Sequence, residues 1–189
     1  PKHRALFLSE ALLLASLNHP NISLIYDAVF DEGQNQYYLV MEYVEGKTLA
    51  DVIDDSTEPL PLSVIFDIAS AILSALTYAH DKGIVHRDIK PENVIIQDDG
   101  VKLMDFGLAG LASLLAGGEA LMVGTPAYMS PEQILGVSTD GRTDLYALGV
   151  MMFEMASGGE TPFSEYNRLS ELLNAHVSET APSLRDLSF

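Results

Sequence analysis

The 189 residues contain no cysteine, and basic residues are scarce, with Lys+Arg 10 against Asp+Glu 27 and a formal charge of −17. Each shortage excludes something. Without cysteine there is neither a disulfide framework nor a thiolate metal site. The excess negative charge repels nucleic acid and anionic membrane surfaces, so nucleic acid is not an expected partner. A phosphate-bearing ligand would have to be held by local positive charge or by a metal ion. Long uncharged apolar runs are missing too. The richest candidates, LYALGVMMF and FGLAGLASLLAGG, stop at Glu154 and Glu119, short of the ~18 residues that a membrane helix needs. No membrane span is therefore expected in this segment. Pro1-Lys2-His3-Arg4 leads straight into an amphipathic pattern, so no signal peptide is expected in this segment. The expected location is cytoplasmic, with any membrane anchor outside this segment. What remains is 48% apolar, enough to bury a core.

The apolar residues Leu6, Phe7, Leu13, Leu14 and Leu17 recur at helical spacing, with Glu10 among them. The stretch NHPN (18–21) ends that helix, because proline disfavours helical geometry in the residue before it. Two strand-like runs follow at 23–30 and 36–44, joined by the polar DEGQN. After Gly46 the pattern turns helical, with a short helix at TLADVIDD and a long one over 61–83 that stops at Gly83. A small hairpin is predicted over 94–104, then a weakly patterned loop over 108–130. An apolar helix spans 143–157 and another lies near 165–177. Gly46 marks the one plausible boundary, dividing residues 1–45 from 46–189.

The chemistry concentrates in IVHRDIKPENVIIQDDGVKLMDFG, from Ile84 to Gly107. VII and VKLM flank a turn centred on Asp98-Asp99-Gly100, and a hairpin returns the chain to where it began. Asn93, just before the first strand, and Asp105, just after the second, should finish at the same end. Asp88 stands earlier in the same loop, with Lys90 beside it. An amide oxygen and carboxylates of this kind suit Mg2+ that completes its shell with phosphate oxygens. Two metal ligands, a free carboxylate and an ammonium fit phosphoryl transfer. Taken singly, each is an ordinary turn-forming residue; it is the ordered set that points to chemistry.

HRDIKPEN, DFG (105–107) and GTPAYMSPE (124–132) together resemble the protein kinase family, and the form with Lys90 and Thr125 resembles its serine/threonine type. The absence of cysteine and the style of these motifs lean towards bacterial kinases that resemble eukaryotic ones. The implied fold is α+β and two-lobed, with a small lobe over 1–45 that lacks its first strands and a mainly helical large lobe over 46–189. The resemblance implies ATP as co-substrate, Mg2+ or Mn2+ as cofactor, and proteins bearing Ser or Thr as acceptors. By the same resemblance Asp88 would accept the hydroxyl proton, Lys90 would neutralise the transferred phosphoryl, and Asn93 and Asp105 would hold the metal. Glu10 falls where the glutamate of helix C belongs. Met41 matches the gatekeeper, Glu42, Tyr43 and Val44 the hinge to adenine, and Ile95 the floor beneath the base. Leu14, Tyr26, His86 and Phe106 match a column of stacked side chains anchored by Asp144. Gly107 closes the metal loop, and Thr125 and Glu132 bracket the end of the activation segment.

The match has gaps. No G-x-G-x-x-G precedes Glu10, and Lys2 lacks the apolar context of a strand lysine. The last large-lobe helices are not seen, and Arg185 comes too early to be their buried arginine. The expectation is a chain truncated at both ends and weak or inactive by itself. The alternative is a non-catalytic kinase-like interaction module; a small-molecule kinase is disfavoured by the peptide-docking segment GTPAYMSPE. Between Gly107 and Gly124 the only hydroxyl is Ser113. Kinases with an arginine before the catalytic aspartate, here Arg87, are commonly switched by phosphate on this loop. Glu119 is expected to substitute for such a phosphate by facing Arg87.

Overall fold

A computed structural model describes residues 2–34, 36–107 and 124–186. The first helix, α1 (Lys2–Ala15), buries Phe7, Ala11 and Leu14, and Leu17 just beyond its end is buried too. Leu13, expected on that face, is instead exposed beside Leu12, because the buried positions step by four and three residues and Leu13 falls outside them. Lys2 opens this helix and so does not lie on a strand.

Strands β1 (Ile25–Asp31) and β2 (Gln36–Met41) form a two-stranded antiparallel sheet. One face packs on α1: Phe7 and Phe30 both lie against Tyr37, with ring centroids 4.4 and 4.7 Å apart. On the other face Val29, Tyr38 and Val40 are exposed. The register shifts between Ile25, which pairs with Met41, and Asp27, which pairs with Val40. Tyr26 is the extra residue of this bulge and stays 63% exposed, whereas Ile25 is buried. Tyr26 therefore does not face inward as a stacked side chain would; Ile25 does. In a strand a one-residue offset exchanges the two faces.

The second sheet runs in the order β3-β4-β5, built from Lys47–Thr48, Val94–Gln97 and Gly100–Leu103. Gly100 already pairs with Gln97, so the turn consists of Asp98 and Asp99 alone. Gly46 lets the chain enter this sheet, since a Cβ there would run into the Ile96 carbonyl and the Ile95 side chain. Between β3 and β4 lie α2 (Leu49–Asp54) and α3 (Leu62–His80). Thr48 and Asp51 close α2 with a capping box.

The core of the second half forms where α3 meets α5 (Gly141–Ser157). α3 contributes Ile65, Ile68, Ile72 and Leu76, and α5 contributes Leu148, Met151 and Met155, all buried. Each such side chain contributes roughly 1.5–3 kcal/mol by leaving water. By length and composition α3 is apolar enough to cross a membrane, yet one of its faces is part of this core. The short helix α4 (Pro131–Ile134) precedes α5, and α6 (Leu169–Ser178) follows it. The last helix starts four residues later than its pattern suggests, with Arg168 at its N-cap.

Candidate active site

His86 organises the loop between α3 and β4. It is buried, and its Nδ1 accepts the Asp88 N–H at 3.2 Å. Nε2 therefore carries the hydrogen and donates to the Met104 carbonyl at 2.8 Å. The ring meets Phe106 edge-on, centroids 4.7 Å apart. Beneath them Asp144, 0% exposed, accepts the N–H groups of His86 and Arg87 at 2.9 and 2.8 Å. His80 Nε2 lies 2.7 Å from the same carboxylate. Two residues at the site take left-handed backbone, Arg87 at φ 68° and Asp105 at φ 60°, a conformation that L-residues adopt at a cost of roughly 1–3 kcal/mol.

Asp88 is surrounded by donors. Asn93 Nδ2 donates to its Oδ2 at 3.1 Å and to its backbone carbonyl at 2.8 Å. Lys90 Nζ lies 3.2 Å from Oδ2 and donates to Thr125 Oγ1 at 2.9 Å, and that hydroxyl is 3.4 Å from Asp88 Oδ1. Catalytic loop and activation-segment end thus meet at one carboxylate. The last rung of the hairpin pairs Val94 with Leu103, and Met104 N–H then donates to the Asn93 carbonyl at 2.8 Å. The two strand ends, and with them Asn93 and Asp105, leave the hairpin side by side.

The donor set fits a hard divalent cation. With Asn93 Nδ2 committed to Asp88, its amide oxygen is left for another partner. Asp105 has no hydrogen-bond partner among the described residues. Among those residues no three His, Cys, Asp or Glu side chains form an all-protein metal cage; an ion held here would complete its shell with phosphate oxygen and water. Gly107 comes so close to α1 that a Cβ there would collide with the Leu14 side chain.

Glu42, expected in the hinge, is tied on both sides. Glu42 N–H donates to the Leu24 carbonyl at 2.8 Å. Its carboxylate accepts the Leu24 N–H at 3.0 Å and binds Lys102 Nζ through both oxygens at 2.8 Å. Burial pushes this carboxyl up, but the Lys102 and Leu24 bonds outweigh it and hold it below the usual range. Met41, Val44 and Ile95 are half-buried and Tyr43 is exposed. Glu10 is half-buried on α1 and makes no ion pair with a described residue. Glu132 accepts from Thr143 Oγ1 at 2.7 Å. Burial pushes its carboxyl up, but that bond and those from its own N–H and Ser130 hold it low. Arg87 Nε is buried with no partner among the described residues; Glu119 and Ser113 lie outside those residues.

Several groups at the site escaped the sequence reading: His80, Lys102, Gln133 and the pair Tyr128–Glu154. Tyr128 donates to Glu154 at 2.7 Å, and burial, reinforced by Glu92 and Asp54, pushes the Glu154 carboxyl up to about 7. Tyr128 lies inside GTPAYMSPE and Gln133 directly follows it, but neither spacing reveals a partner; only the fold brings these pairs together.

The family model described as "Protein kinase domain" matches residues 1–186. The serine/threonine-protein kinase PksC of Streptomyces coelicolor is 42% identical over 95% of this chain and 34% of its own length. PrkC of Bacillus subtilis, also a serine/threonine-protein kinase, is 40% identical over 95% of this chain and 27% of its own. This chain thus spans about a quarter to a third of the length of these relatives. Among solved structures, the PknI kinase domain of Mycobacterium tuberculosis superposes with a TM-score of 0.75 at 28% identity, over 98% of this chain and 65% of that one. The chain belongs to the protein kinase domain family, with serine/threonine kinases among its relatives, and its two small sheets and helices are part of that fold.

Proposed function

We propose that this chain is the catalytic part of a protein serine/threonine kinase that moves the ATP γ-phosphoryl onto Ser or Thr hydroxyls of proteins. The observation that carries the reading is the setting of Asp88, a carboxylate gripped by Asn93, flanked by Lys90 and approached by Thr125. Asp88 orients the acceptor hydroxyl and receives its proton, and Lys90 brings one positive charge to the phosphoryl in transit. Mg2+ or Mn2+, when bound with ATP, would neutralise phosphate charge, and the Asn93 amide oxygen and the Asp105 carboxylate would hold it. Met41, Glu42, Val44 and Ile95 would receive the adenine. The lobe boundary falls at 45/46, where Gly46 enters the second sheet. α3 serves as a core helix and not as a membrane span, since Asp67 interrupts it and one face is buried against α5. The site is cytoplasmic on this reading, because that compartment supplies ATP.

The test is transfer of labelled phosphate from ATP to a Ser/Thr-bearing protein by the full-length protein. Asp88→Asn should lower kcat by roughly 10²–10⁴-fold with the affinity for magnesium-ATP retained. Undiminished transfer by Asp88→Asn would refute the role of Asp88. ATP binding with no transfer by the unaltered protein would favour the non-catalytic interaction module.

A further inference from the structure

Gln133 follows the Ser-Pro-Glu triplet at the third position of α4, and part of its role is local. Its N–H lies 3.4 Å from Ser130 Oγ, and its Oε1 accepts the Ser130 N–H at 3.1 Å and the Ser130 hydroxyl at 3.2 Å. This capping box uses only the oxygen of the amide. The nitrogen reaches 46 residues back along the chain, where Nε2 donates to the Arg87 carbonyl at 3.0 Å. Because the Ser130 N–H needs an acceptor and the Arg87 carbonyl needs a donor, the amide can satisfy both in one orientation only.

That carbonyl belongs to the peptide joining Arg87 to Asp88. Arg87 is one of the two non-glycine residues with positive φ among those described. Its N–H is held by Asp144 from the start of α5, and its carbonyl is held by Gln133 from α4. Two helices thus grip the strained residue from either end. Rotation of the Arg87–Asp88 peptide would swing the Asp88 carboxylate away from Lys90, Asn93 and Thr125. We propose that Gln133 is a positioning residue for Asp88, fixing the Arg87–Asp88 peptide through its side-chain nitrogen. This rests on the reading of Asp88 as the acceptor of the substrate proton. It also ties the segment following Thr125 to the catalytic loop through a contact independent of Lys90.

Gln133→Glu separates the local role from the distant one in the full-length protein. Glutamate serves a capping box as well as glutamine does, so the Ser130 bonds survive, but an oxygen replaces the donor facing the Arg87 carbonyl. Gln133→Met removes both roles at similar length. The expected result is a kcat lower by ~10–100-fold in Gln133→Glu, with unchanged affinity for magnesium-ATP and an unchanged melting temperature. Gln133→Met should lose kcat similarly and also melt earlier. Amide exchange at residues 86–89 should rise in both variants, a readout that does not depend on phosphate transfer. Wild-type kcat together with wild-type exchange in Gln133→Glu would overturn the inference. Faster exchange in a protein that transfers no phosphate even unaltered would leave the loop-holding role intact and refute the kinase reading instead.

Discussion

The two small sheets of this molecule are built from similar material and have opposite fates. β1–β2 pairs its strands well, yet it keeps Val29, Tyr38 and Val40 exposed on one face. In β3-β4-β5 the outer strand β5 is engaged. β3 runs on into α2, and β5 takes bonds from the segment before β1: Ser23 N–H donates to the Leu103 carbonyl at 3.0 Å, and Leu103 N–H donates to Asn21 at 2.9 Å. The buried Val94–Leu103 rung then serves as the base from which Asn93 and Asp105 emerge. The contrast teaches that the candidate site stands on the sheet whose β5 edge is satisfied by a neighbouring segment, while the other contributes one packed face. An unpaired strand edge is a template for unwanted pairing, and a rigid base is what a constellation of ligands requires.

The contrast is open to attack by mutation. The largest effect on stability is expected from Leu103→Ala, which empties a fully buried position beneath the site and should cost about 2–5 kcal/mol in urea unfolding. A loss below ~1 kcal/mol would mean that this sheet is not the rigid base described here. A smaller effect is expected at Glu154. Its carboxyl is pushed from 4.5 to about 7, so between those values the folded state binds more protons than the unfolded one. The associated stability is present in full below pH 4.5 and is lost as pH rises through about 7. Glu154→Gln keeps an acceptor for Tyr128 and should raise stability above pH 7 by about 1–2 kcal/mol, after allowance for solvent screening. That gain should shrink to nothing near pH 4; a gain independent of pH would contradict the assignment. The smallest effect is expected on the open face. Val40→Thr, at a position 46% exposed, should change stability by less than ~0.5 kcal/mol while reducing binding of a hydrophobic dye. A loss comparable to that of Leu103→Ala would show that this face is covered in solution.

The order of the longer elements and the catalytic loop were legible in the sequence because they rest on local rules, whereas the two-residue strand β3 and the one-turn helix α4 were not. Gly83 ends a helix, and the period of the apolar residues separates strands from helices. Tyr26 was misread because a bulge changes which residues face inward without changing the composition of the strand. Leu13 was misread because α1 is apolar around much of its circumference, so spacing alone could not select its buried side. Gln133 had no signal beyond its place in a capping box. Its second partner lies 46 residues away, and no local pattern encodes a contact at that separation.

The sequence by itself determined the chemistry available here: hard oxygens and one ammonium in a fixed order, no thiols, and a strongly negative surround. Only the tertiary structure decided how those groups are held. Asp144 gripping two backbone N–H groups, Gln133 taking the Arg87 carbonyl and Lys102 binding the hinge all join segments distant in the chain. The physical reason is that side-chain identity is inherited residue by residue. The orientation of a strained peptide, by contrast, depends on partners that only folding brings within hydrogen-bond reach.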